Sequence, residues 1–183
     1  MNNKNIYVLS LALIVVVVIW GCSNKQEHLK NEITNIEKQL FNDTTGIIMP
    51  QKAQKTIELY SKYIHNYPHD SLSAEYIFRA AQLCTAIGNF EEAIKFYDSL
   101  IISFPEIPKA AEAMFMKAFV FDNYLYRYDK ARENYMLFIQ KFPNHDLRRD
   151  AEKSIQFLGM SNAEILEILQ ADADKNNLEK NQQ

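Results

Sequence analysis

The chain has 183 residues, 48% hydrophobic and 23% charged, which is the composition of one ordinary globular domain. Its net charge of −3 leaves no basic footprint for a nucleic acid. The four glycines, Gly21, Gly46, Gly88 and Gly159, stand far apart, so no glycine-rich loop can wrap a phosphate.

Residues 1–21 read as an export signal. Lys4 is the only charged residue, and Ile6 to Trp20 is apolar except for Ser10. That run is shorter than the ~20 residues of a membrane-spanning helix. It ends in Ile19-Trp20-Gly21-Cys22, which resembles the lipobox of bacterial lipoproteins. The resemblance implies cleavage before Cys22 and lipid on its thiol and new amino group. An uncleaved anchor helix is the alternative, and either tethers the chain to a membrane. Ser23 after the cysteine, under the sorting rule of that class, is compatible with the outer membrane.

Residues 22–26 read as the lipidated cysteine and a short spacer. Leu29, Ile33, Ile36 and Leu40 then fall on one helical stripe. They suit either a coiled-coil strand or the first helix of a repeat array. Asp43 to Gly46 marks a loop, and Pro50 suits the first turn of a helix running to about Asn66. Asp70 or Ser71 can cap the next helix, which ends near Gly88-Asn89.

A pattern recurs from there. Counting back from Pro68, Pro105 and Pro143, the preceding residue is Tyr67, Phe104 and Phe142. Four before the proline stand Ile64, Ile101 and Ile139; eight before, Tyr60, Tyr97 and Tyr135; twelve before, Thr56, Ala93 and Ala131. The spacing is 37 and then 38 residues, which means stacked helix pairs. The pairs are completed by first helices at about Ser71–Ile87 and Lys109–Tyr124. A further helix at about Leu147–Leu158 closes the stack. Ser161 to Glu164 has the capping-box pattern and opens a last helix. From Ala171 to Gln183 there is one leucine and no aromatic, so a disordered tail is expected.

These residues resemble the tetratricopeptide repeat: a small residue in the first helix, a Gly-Asp-Tyr-like turn, then Ala, an aromatic and a closing Pro. Ala81, Gly88-Asn89-Phe90, Ala93, Tyr97 and Pro105 supply one copy. Ala118, Tyr128, Ala131, Tyr135 and Pro143 supply another. The resemblance implies an all-α, right-handed α-solenoid of about three helix pairs plus closing helices, one helical domain spanning 27–170. With the lipobox, the chain is similar to envelope tetratricopeptide lipoproteins, among them that of the outer-membrane β-barrel assembly machine and small examples of Bacteroidota.

No nucleophile with a base at recognisable spacing occurs, and no carboxylate pair stands out. Pro68 separates His65 from His69 and breaks any helix that would align them on a metal. Cys84 falls at a core position. The chain is therefore expected to be no enzyme and to need no cofactor, metal or small-molecule substrate.

Helical spacing puts Phe78, Arg79, Gln82, Phe115, Phe119 and Phe157 on or beside a stripe next to the core. Aromatics there would form a groove for a partner's helix or peptide, unless a terminal helix folds over them. The function expected is a scaffold that binds other envelope proteins and is held to the membrane through lipid on Cys22. The alternatives are a self-associating structural lipoprotein and an accessory subunit of an envelope enzyme.

Overall fold

The computed structural model describes residues 24–40 and 48–180. The expected signal at 1–21, the lipidation site Cys22 and most of the loop after Phe41 lie outside the described residues. Everything described is helix or short connection, with no strand. None of these helices is long and apolar enough to cross a membrane.

Among the described residues, eight helices follow in order. The first, α1, covers 24–40. Then come α2 (Pro50–Asn66), α3 (Ser71–Ala86), α4 (Phe90–Ser103), α5 (Pro108–Asn123), α6 (Tyr128–Lys141), α7 (Arg148–Phe157) and α8 (Asn162–Lys180). Packed neighbours are successive helices: α2 on α3, α4 on α5, α5 on α6 and α6 on α7. The all-α architecture of tetratricopeptide-like helix pairs expected from the sequence is present.

The repeat register is visible in the burial. Thr56, Ala93 and Ala131 are fully buried, as are Tyr60, Tyr97 and Tyr135. Ile64, Ile101 and Ile139 are half-buried, and so are Tyr67, Phe104 and Phe142. The closing turn also recurs. The amide of each last aromatic donates to the carbonyl four residues earlier: Tyr67 to Tyr63, Phe104 to Leu100, Phe142 to Phe138. Its own carbonyl then accepts from Asp70, Ile107 and His145 respectively. The proline between them cannot donate and cannot extend the helix, so each repeat stops at the same place.

The described residues divide into two compact units, one ending at Asn89 and the other beginning at Phe90. In a repeat array each helix packs on its sequence neighbours, so no one core ties the ends together. The boundary falls at the Gly88 turn, where a left-handed φ of 82° ends α3.

Two boundaries differ from expectation. Residues read as spacer are already helical from Asn24, and Gln26 donates to the Tyr63 hydroxyl and to Asp70, 2.7 Å in each case. A short polar sequence read as linker is here a docked first turn. At the other end, α8 runs to Lys180, past the Ala171 where a disordered tail was expected. That stretch cannot build a core, but it has no Gly or Pro, and a polar composition can still be helical. The capping box does form: the Ser161 amide and hydroxyl both donate to Glu164, each at 2.7 Å.

Candidate functional site

In the first unit the expected groove residues have three different fates. Phe78 is buried, 6% exposed, which corrects its assignment to a groove. Arg79 is committed: its Nη1 donates to Glu37 on α1 and its Nε to Glu75, both at 2.7 Å. Gln82 is exposed. On α1, Leu29, Ile33, Ile36 and Leu40 are all buried. Its stripe serves as the first helix of the array, not as a coiled-coil strand. Inside this unit Tyr60 and Tyr76 stack at 4.9 Å, and Tyr63 meets Tyr76 edge-on at the same distance. Burial, then the nearby Glu37 charge, pushes the Tyr76 hydroxyl up to about 12.

In the second unit the three expected phenylalanines part company. Phe115 packs on α6, with ring centroids 5.5 Å from Tyr135 and 5.8 Å from Phe138. It is half-buried and belongs to the helix-pair core. Phe119, one turn later on α5, and Phe157 at the end of α7 both line a cleft of about 590 Å³. Asp122 and Asn123 continue the α5 wall. Asp150, Lys153 and Ser154 come from α7, and Asn162 and Ile165 from α8. Tyr126, from the turn before α6, Tyr128 at the start of α6, and Met160 complete the lining apart from Gly159.

The turn that supplies the tyrosines is unusual. Tyr126 takes a left-handed φ of 53°, the conformation glycine takes at Gly88 in the preceding repeat. A non-glycine residue there carries strain. The backbone compensates: Leu125 donates to the Val120 carbonyl and Arg127 to that of Phe121. The outcome is an aromatic ring 68% exposed at the cleft mouth, 6.4 Å from Tyr128. Opposite, Gly159 has φ 77°, and a Cβ there would lie 3.4 Å from the Tyr128 ring. The positive φ is what calls for glycine there, since a Cβ would meet the ring at ordinary contact distance.

The cleft floor is polar. Tyr135 is fully buried, and its hydroxyl makes no regular hydrogen bond. Its polar neighbours are Ser154 and Asp122, both cleft residues. Burial, followed by the Asp122 charge, pushes this phenol up to about 12. Asp122 is half-buried, and burial raises its carboxyl above the ordinary range, with Tyr135 opposing weakly. None of Asp122, Asp150 and Lys153 makes an ion pair among the described residues.

Other depressions lack these features. One of about 580 Å³ in the first unit is lined by Pro50, Gln51, Gln54, Lys55, Glu58, Ile87 and Asn89, without an aromatic wall. Asp122, Tyr126 and Met160 were not among the residues expected from helical spacing. The signal available was the run Tyr124-Leu125-Tyr126-Arg127-Tyr128, three tyrosines packed into a turn, where rings have little core to enter.

Comparison with known proteins agrees with this geometry. Residues 112–145 match the family model described as Tetratricopeptide repeat. No curated protein matches the sequence. The matched stretch begins in the first turn or so of α5, contains the whole of α6 and ends just beyond Pro143, so it holds the helix pair that carries Phe119, Asp122, Tyr126 and Tyr128. The chain is a protein containing a tetratricopeptide repeat, a fold that typically serves as a scaffold for binding other proteins.

Proposed function

We propose that this chain is an adaptor tethered to a membrane through Cys22, holding proteins of the cell envelope by the cleft of its second unit. The observation that carries the reading is that Phe119 and Phe157 meet in that cleft beside the matched repeat. Apolar rings half-open to solvent, around a few polar groups, suit a polypeptide ligand. The tether rests on the Ile19-Trp20-Gly21-Cys22 ending, and the envelope assignment, with outer-membrane assembly as one setting, rests on the same resemblance.

Two measurements test it. Cys22→Ser is expected to abolish lipid labelling; full acylation of that variant would refute the anchor. Cross-linking in the native membrane, read by mass spectrometry, is expected to capture envelope proteins from the parent chain and fewer from Phe119→Ala. A second reading, self-association, is favoured by Leu166 and Leu169, 56% and 50% exposed on α8. Sedimentation of the full chain in detergent separates the two, since only self-association gives a mass that rises with concentration.

A further inference from the structure

We infer that the cleft of the second unit receives an arginine side chain of a partner polypeptide, with its guanidinium on Asp122 and its stem among Phe119, Tyr126 and Phe157. The inference rests on the reading of this cleft as a partner site and adds the chemistry of the partner.

Asp122 is the one half-buried acid in the lining, and no cation among the described residues pairs with it. A carboxylate drawn out of water without a partner is costly, and an incoming cation removes that cost. Beneath it lies the buried Tyr135 hydroxyl, without a regular hydrogen bond of its own. A carboxylate held in place by a guanidinium has a second oxygen to accept that O–H. The two incomplete groups are thus completed by one ligand.

The walls select among cations. Arginine presents a flat guanidinium that pairs with a carboxylate through two N–H groups and lies on aromatic faces. Phe119, Tyr126 and Phe157 supply such faces. The source is a polypeptide because the space, about 590 Å³, exceeds one side chain, and Met160 and Ile165 extend the apolar lining for the residues flanking the arginine. Lys153 is exposed and faces Asp150 on the same helix, so the two acids outnumber the single base.

The test uses the full chain in detergent and two synthetic peptides, acetyl-Leu-Arg-Leu-amide and its citrulline counterpart. Citrulline keeps the shape and removes the charge. By calorimetric titration the arginine peptide is expected to bind about tenfold more tightly, the discrimination of one charge-assisted hydrogen bond. Asp122→Asn should erase the preference and Lys153→Gln should strengthen arginine binding, while Asp146→Asn, outside the cleft, should change neither. Circular dichroism checks that each variant is folded. Equal binding of the two peptides, an unaltered preference in Asp122→Asn, or no arginine-peptide binding at millimolar concentration overturns the inference. If Phe119→Ala still reduces cross-linking in membranes after any of these results, the cleft keeps its partner and loses only the arginine.

Discussion

The Tyr60 hydroxyl on α2 donates to Glu37 Oε1 on α1 at 2.5 Å, and the same oxygen accepts from Arg79 on α3 at 2.7 Å. One carboxylate thus fastens three helices of the first unit. Burial foremost, then the Glu37 hydrogen bond, raises the Tyr60 phenol well above its ordinary range, so it stays a donor throughout the physiological span.

Glu37→Ala is therefore expected to destabilise the first unit by ~1.5–3 kcal/mol, the range for hydrogen bonds to a charged group. Tyr60→Phe should cost less, ~0.5–1.5 kcal/mol. In a double-mutant cycle the two losses should fall short of additive, because they remove the same bond. Additive losses in thermal melts would mean the contact contributes nothing.

Phe78 and Phe119 were both read from helical spacing as residues of one groove stripe, yet their variants should differ. Phe78→Ala removes a buried ring and should cost ~3–5 kcal/mol of stability. Phe119→Ala removes a half-buried one and should cost clearly less, while weakening partner capture about tenfold. Equal melting temperatures for the two variants would contradict the assignment of Phe119 to the cleft.

Ala131 is fully buried where α6 meets its neighbours. Ala131→Leu should strain that packing by ~1–3 kcal/mol, seen as a lowered melting temperature by circular dichroism. An unchanged melt would mean that the helices there can separate at no cost.

Asp122 gives a pH signature. Its folded-state pKa lies above the ordinary 3.8, through burial first, with the neighbouring Tyr135 hydroxyl opposing. The folded chain thus binds this proton more tightly than the unfolded chain does. The stabilising contribution is full below 3.8 and is lost as pH rises through the raised value. At neutral pH the ionised group works against folding, so Asp122→Asn should melt higher than the parent at pH 7. The advantage should vanish as pH falls below 3.8. A variant that melts lower at pH 7 would show that the carboxylate has a stabilising partner.

The repeat was legible because its positions are enforced by packing. Ala131 and Tyr135 face a neighbouring helix at short range, and Pro143 ends the pair, so each residue type follows from a local cause. The burial of Phe78 was not legible, since it depends on what packs against α3, and helical spacing within α3 carries no information about that. The Tyr126 turn was hidden for a different reason. Glycine announces a left-handed turn in advance, whereas a tyrosine held there by backbone hydrogen bonds looks like any other tyrosine. Asp122 was one acid among 23 until the fold half-buried it.

Cys84, 1% exposed inside α3, makes the chain its own stopwatch. A thiol sealed at that depth reacts with an alkylating reagent only while the helix is transiently open. In a Cys22→Ser background it is the single cysteine left, so the labelling rate under native conditions reports the opening of whatever packs over α3 at that point. Stabilising or loosening that packing would change the rate directly, without heat, denaturant or an attached dye.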